Sequence, residues 1–393
     1  MKKNLLTAIF ALSVLFANAQ NYLHQVVIVN EGYYNYSTAT QVVPVSVGVY
    51  NPISKVYQSI DIINGSKFAS DVIVDNGFIY VAADNKILKY DANTYALVKQ
   101  VNLAGVRKLA IWNNQLLVSR GEYLATYTSY FQVYDKNNLN FIYELTTTNG
   151  PAYASDKIVV NNDTAYIAVN NGFDFGNYKG IVGVVNLNAQ NYKREIVLAD
   201  SATNPENLMM AGTDLITVNN NDFSKSSVSK MSTKSANGSS LTIISGSGCS
   251  TSAMTTISNN DYVLYQAFGT TNLGKFDLNG FQNVSPVAIN KEIYGIAVNP
   301  INNEIYTGVT NFTNTGKIYI HYANGFPKDS FNVSVSPGNI AFDLRTATSV
   351  ENINSKFETS IFPNPANNEI QIIGNYVKAN VTIFDLLGKT VLN

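Results

Sequence analysis

Short apolar runs broken by Asn, Asp and Gly recur along most of this chain, as strands joined by tight turns require. The clearest unit is "DVIVDNGFIYVAADNKILKYDANTYALVKQVNL", between Asp71 and Leu103. It reads as four strands. Strand A is Val72 to Val74, strand B is Phe78 to Ala82 after the turn Asp75-Asn76-Gly77, strand C is Lys86 to Tyr90, and strand D follows the turn Asp91 to Thr94. Asn-Gly between two apolar runs is a strong hairpin signal, because both residues tolerate positive φ.

The same order returns as "VRKLAIWNNQLLVSR" from Val106, "SDKIVVNNDTAYIAV" from Ser155, "PENLMMAGTDLITVN" from Pro205, "TSAMTTISNNDYVLYQ" from Thr251 and "IYGIAVNPINNEIYTGV" from Ile293. Strand C often ends in an aromatic followed by Asp or Asn, as at Tyr50-Asn51, Tyr90-Asp91, Tyr134-Asp135 and Phe276-Asp277, where the short polar side chain can cap the next turn. Six units therefore follow one another at a period of roughly 35 to 50 residues, in or near the range of propeller blades. Two fragments remain. "PGNIAFDL" at Pro337 to Leu344 is a strand A without a B, and "QVVIVNEG" from Gln25 is a strand B without an A. Pairing Asn339–Leu344 with Val26–Asn30 builds a seventh blade from both ends of the chain and closes the ring, which removes exposed sheet edges. The fold expected is all-β, a seven-bladed β-propeller over residues 20–346.

The ends are different in character. Lys2 and Lys3 precede the apolar run Leu5 to Phe16, and Ala17-Asn18-Ala19 offers a small-residue cleavage site; residues 1–19 read as a signal peptide. The run is short of the roughly 20 residues that span a bilayer, and no later run is longer. No transmembrane segment is expected, and the mature chain from Gln20 should be soluble outside the inner membrane. Cys249 is the sole cysteine, so no intrachain disulfide can form and the core alone must hold the fold. With 25 Tyr, 19 Phe and 46% hydrophobic residues there is ample material for it. The formal net charge of −1 and sparse charges of mixed sign argue against nucleic acid as a partner.

These patterns resemble known families at two places. "IAVNP-x-NNEIY" at Ile296–Tyr306, the "VVIVNEG" opening and the "VYD" strand ends are similar to YVTN-repeat, surface-layer-type propellers, a resemblance covering about Tyr22 to Thr346. It implies the fold and leaves the activity open, because such propellers include binders, lactone hydrolases and quinoprotein dehydrogenases. Past a polar linker at 347–358, "SIFPNPANNEIQI" and "VTIFDLLGKTV" resemble the C-terminal sorting domain of type IX secretion over residues 359–393. The matching residues are Pro363-Asn364-Pro365 and Leu387-Gly388-Lys389. The resemblance implies the type IX secretion machinery as a partner, and export to the medium or outer surface of a Gram-negative bacterium. The family's last strands are missing, because the chain stops at Asn393, so the domain is expected to be incomplete.

Little in the chain looks like catalytic machinery. A Ser-His-Asp triad needs a histidine, and only His24 and His321 exist. Zinc sites built from His and Cys are equally poorly supplied. "GTTNLGKF" at Gly269–Phe276 fails as a phosphate loop, because Phe276 stands where a hydroxyl is needed. No catalytic residue, metal ligand or cofactor is assigned.

The blades differ in the B-to-C connections. These expand at "EGYYNYSTATQ" from Glu31, "RGEYLATYTSY" from Arg120, "NNGFDFGNYKG" from Asn170, "NNNDFSKS" from Asn219 and "TNFTNTG" from Thr310. In a propeller these insertions crowd one face, together with the polar residues opening the A strands: Asp71, Arg107, Asp156, Glu206 and Asn339 at a funnel mouth. Tyr33, Tyr34, Tyr36, Tyr123, Tyr127, Tyr130, Phe173, Phe175, Tyr178 and Phe312 would line that face, offering contact area and hydroxyls to a protein or glycan ligand. The alternative is that the rings fold back over their own blades. The reading is thus an exported binding scaffold rather than an enzyme. A lactonase-like hydrolase using Asp71, Asp156 and Glu206 with a divalent cation, and a structural surface-layer component, stay open beside it.

Overall fold

The computed structural model describes residues 21–199, 202–234, 241–245, 247–257 and 260–346, and in the tail 360–362, 369, 371–373, 382–384 and 389–392. The signal peptide expected at 1–19, the linker expected at 347–358, and the residues Pro363-Asn364-Pro365 and Gly388 lie outside the described residues. No helix occurs among the described residues.

Seven four-stranded sheets follow one another. The first blade comprises Asp71–Asp75, Phe78–Ala83, Lys86–Asp91 and Leu97–Asn102 as strands A to D. The next five begin with A strands Val106–Trp112, Ser155–Asn161, Pro205–Ala211, Ser247–Ile257 and Gly295–Val298. The seventh joins Pro337–Thr346 as strand A to Asn21–Asn30 as strand B, followed by Val45–Asn51 and Val56–Ile63. The chain is therefore a seven-bladed β-propeller whose last blade takes one strand from the C-terminal end of the repeat region and three from the N-terminal end.

Among the described residues the core is seven separate apolar clusters, one between each pair of neighbouring blades. The period of two in the strands explains why. In strand B of the seventh blade, Val27 and Val29 pack toward the first blade with Val72, Ile79 and Val81, whereas Val26 and Ile28 pack toward the sixth with Tyr306, Ile318 and Ile320. Strands B and C bury both of their faces in most blades, so an alternating pattern there becomes a run of hydrophobic residues. The outer D strands expose apolar side chains, among them Val56, Leu97 and Phe141.

The turn after strand C is built as the sequence suggests. Asp91 Oδ1 accepts from the amides of Asn93 and Thr94, both at 2.8 Å, and Asn51 Oδ1 and Asp135 Oδ1 repeat the arrangement. In the tail two short hairpins are described, Ser360–Phe362 with Gln371–Ile373 and Ile383–Phe384 with Thr390–Leu392.

Candidate functional site

Four of the A strands are irregular at their start. Their pairing with strand B shifts register between Val106 and Leu109, Ser155 and Ile158, Pro205 and Asn207, and Ser247 and Ser252. A bulge breaks the strict alternation of sides and re-aims side chains. Consecutive residues then reach one cavity: Arg107 with Lys108, Asp156 with Lys157, and Glu206 with Asn207. This cavity, about 150 Å³, draws its lining from all seven blades, including Asp71, Ser252, Ile296 and Asn339, and so lies on the axis of the ring.

The five polar residues expected at the funnel mouth all line it, and the polar contacts of several of them tie neighbouring blades together. Asp71 Oδ2 accepts the amide of Leu109 at 2.8 Å. Arg107 Nη2 donates to Asp156 Oδ2 at 2.9 Å, and Asn339 Nδ2 donates to Ala69 O at 3.2 Å. Asn220 Nδ2 donates to Glu206 Oε2 at 2.6 Å within the fourth blade, and Asn207 Nδ2 reaches Ser252 O at 2.9 Å in the fifth. Lys157 Nζ lies 4.0 Å from Asp71 Oδ1. One acceptor is left over. Asp156 is 3% exposed, and its Oδ1 is buried without a hydrogen-bond partner among the described residues.

Glu31 adds a carboxyl that the sequence did not single out. Its amide is held by Ser336 O at 2.8 Å, and its side chain lies against Gly338, where a Cβ would stand 2.4 Å from Glu31 Oε1. Burial pushes its pKa from an ordinary value near 4.5 up to about 7, against the opposing pull of a hydrogen bond with Tyr294 and the charges of Lys108 and Arg107.

Above the channel the loops form an aromatic groove. After Gly32, whose φ of +76° turns the chain against Val43 and Pro44, Tyr33–Asn35 and Thr40–Val43 make a small hairpin. It carries Tyr34 and Tyr36, whose rings meet edge to face at 4.9 Å. Tyr34 and Tyr36, with Phe68, Tyr123 and Phe173, wall a cavity of about 320 Å³. Lys67 Nζ pairs with Glu122 Oε1 at 2.8 Å beside it. Phe173 also lies under the Arg107 guanidinium at 4.9 Å and, with Phe175 and Phe223, borders a further cavity of about 140 Å³ that reaches Asp156 and Glu206. Tyr123, Phe175, Tyr178 and Phe223 form a chain of rings at 5.6, 6.5 and 5.8 Å.

The ten aromatics named from the sequence therefore divide. Tyr34, Tyr36, Tyr123, Phe173, Phe175 and Tyr178 belong to this group. Tyr130 is buried. Tyr127 sits under the Arg120 guanidinium at 4.0 Å and donates to Glu122 Oε2 at 3.1 Å, with burial and then Glu122 pushing its phenol up to about 12; both fold back onto their own blade. Tyr33 pairs with Val43 at the base of the hairpin. Phe312, in the sixth blade, packs edge-on against Tyr294 at 5.0 Å. His321 is a core residue, with Nδ1 3.1 Å from Gly325 O. Among the described residues no three His, Cys, Asp or Glu side chains cluster as metal ligands would, and no helix is long and apolar enough to cross a membrane.

Residues 360–393 match the secretion system C-terminal sorting domain. The protein is thus an exported propeller that carries a secretion signal at its C-terminus. No curated protein matches the chain. Similar solved structures include a hypothetical selenium-binding protein from Sulfolobus tokodaii, 9% identical over 84% of this chain and 94% of that one, with a TM-score of 0.59. Hydrazine synthase of Kuenenia stuttgartiensis is 13% identical over 81% and 100%, with a TM-score of 0.56. Dihydro-heme d1 dehydrogenase NirN, in complex with DHE, is 12% identical over 81% and 75%, with a TM-score of 0.54. At such identities the likeness is one of fold.

Proposed function

We propose that this protein is a recognition scaffold, delivered by the type IX secretion machinery to the outer surface or the medium of a Gram-negative bacterium, which binds a protein or glycan across the loop-rich face of its propeller. One observation carries the reading. Tyr36, Tyr123 and Phe175 come from three different blades, stay 71%, 54% and 64% exposed, and line two cavities that share Phe173 as a wall. Large aromatic side chains gathered on an exposed concave face mark a binding surface, because a scattered surface would leave them single and an unused one would bury them.

The hydrolase reading draws less support. Asp71, Asp156 and Glu206 reach one cavity, but each has an oxygen engaged by a backbone amide, a guanidinium or an amide side chain. The fold favours neither, since propellers host enzymes and binders alike.

The test is calorimetry of the full-length protein against soluble glycans and purified secreted proteins, run beside a lactone and ester hydrolysis screen with calcium and magnesium. Saturable binding abolished in the variant carrying Tyr36→Ala, Tyr123→Ala and Phe175→Ala is the expected result. Cation-dependent turnover lost in Asp156→Asn and retained in the rim variant would replace the scaffold with an enzyme.

A further inference from the structure

Together the groove, the cavity beside it and the channel form a cleft whose compartments share walls. Phe173 is shared by the aromatic cavity and the one beside it, and Arg107, Asp156 and Glu206 are shared by that second cavity and the axial channel. A ligand entering between Tyr36 and Tyr123 would run past Phe173 and Phe175 and end among carboxylates and amides.

Charge narrows what can lie there. Asp71, Asp156 and Glu206 face Arg107, Lys108 and Lys157 in the channel, three acids against three bases, and Lys67 pairs with Glu122 at the groove. A polyanion or polycation meets no net opposite field in such a cleft. A peptide's apolar anchor side chain would desolvate these paired charges and return no hydrogen bonds.

What the cleft does offer is ring faces at one end and an unused acceptor at the other. The negative face of an aromatic ring attracts polarised C–H groups, and Asp156 Oδ1 needs a small donor, its partner oxygen already being held by Arg107. A hydroxyl meets that need; leaving the oxygen unpaired costs about 1–3 kcal/mol. Lining amides from Asn207 and Asn220 add further polar groups to the floor.

We propose that the cleft binds the end of a neutral oligosaccharide chain, with pyranose faces against Tyr36, Tyr123 and Phe175 and a hydroxyl of the innermost unit donating to Asp156 Oδ1. The inference rests on the recognition reading and names its ligand class.

Titrate the full-length protein with neutral cello-, xylo-, manno- and malto-oligosaccharides, following heat and saturation-transfer NMR signals. At least one series should bind. Phe175→Ala and Tyr123→Ala should each weaken it about tenfold, with the C–H protons of the sugar receiving saturation. Asp156→Asn should weaken the same ligand, while a sugar whose terminal hydroxyls are methylated should bind the unaltered protein poorly. Silence from every neutral series, or binding indifferent to Phe175→Ala and Tyr123→Ala, overturns the proposal. Should a purified protein or an anionic polymer bind instead and be lost in those two variants, the recognition reading stands and the sugar assignment falls. Indifference of every ligand to the rim variants removes both.

Discussion

Gln25 Nε2 donates to Asp343 Oδ2 at 3.0 Å, although 318 residues separate them. The two residues stand on the strands from the two ends of the chain that meet in the seventh blade. The same amide group donates to Ala92 O at 2.7 Å, Tyr95 Oη donates to Gln25 Oε1 at 2.8 Å, and Arg345 bridges Asp343 at 2.7 Å and Asn93 at 2.7 Å. The closing blade is thereby fastened to the first one. Asp343→Ala removes the carboxylate that both Gln25 and Arg345 address in a buried setting, and should lower stability by about 2–4 kcal/mol in urea unfolding. Asp343→Asn, which keeps an acceptor, should cost less than half of that; equal losses would show that shape rather than the ionic hydrogen bonds holds the closure.

Glycine within three C strands serves a neighbouring tyrosine. A Cβ on Gly183 would stand 2.5 Å from Tyr192 Oη, one on Gly48 2.1 Å from Tyr57 Oη, and one on Gly274 2.2 Å from Tyr265 Cζ. The ring covers the glycine across the sheet, a pairing that restores packing where no side chain exists. Gly183→Ala forces the ring aside and should cost about 1–3 kcal/mol. Adding Tyr192→Phe, which deletes the nearest atom, should recover part of that loss. Strict additivity of the two changes in a double-mutant cycle would mean that the ring and the glycine do not press on each other.

Much of the fold was legible because each blade is a local unit. Phe78–Ala83 and Lys86–Asp91 are short apolar runs joined by a tight turn, so pattern and hydrogen bonding agree. The seventh blade was legible only as two leftovers, and ring closure decided their pairing. The candidate site was less so. A bulge adds one residue to a strand without changing its composition, which hides the fact that Lys108 reaches the channel beside Arg107. Tyr123 and Tyr130 fall in one stretch of sequence, yet the first is exposed in the loop and the second is buried in the strand Ser129–Asp135; the point where loop passes into strand carries no signal of its own. Glu31 acquires its environment from Tyr294 and Gly338, distant in sequence and carrying no motif.

Exposure separates the rim from the core in a way that stability can check. Phe175 and Tyr123 touch each other at 5.6 Å but are largely open to solvent, so Phe175→Ala and Tyr123→Ala should each change unfolding free energy by about 0.5 kcal/mol or less. Tyr130→Ala, from the same insertion but buried, should cost about 3–5 kcal/mol. A large loss for Phe175→Ala would make that ring a structural lid over the second blade rather than a surface for a ligand.

Glu31 should give the fold a distinctive dependence on pH. Its folded pKa of about 7 lies above the ordinary value of 4.5, chiefly through burial. Below the lower value the carboxyl is protonated in both states. Between the two, the folded protein keeps the proton while the unfolded chain releases it, so folding is favoured most at the acid end and this contribution is lost as pH rises toward 7. Above 7 both states are ionised, and the full penalty of the buried carboxylate remains. Glu31→Gln abolishes the titration while keeping size and hydrogen-bonding capacity. The variant should match the parent near pH 4 and exceed it at pH 8 by on the order of 1–3 kcal/mol. His321, whose pKa burial lowers, acts in the opposite sense below its ordinary value, because the unfolded chain then takes up a proton that the folded one refuses. Reading the difference between parent and variant at each pH cancels that term, so a difference that stays flat from pH 4 to pH 8 would show that the Glu31 carboxyl is hydrated and ionises normally.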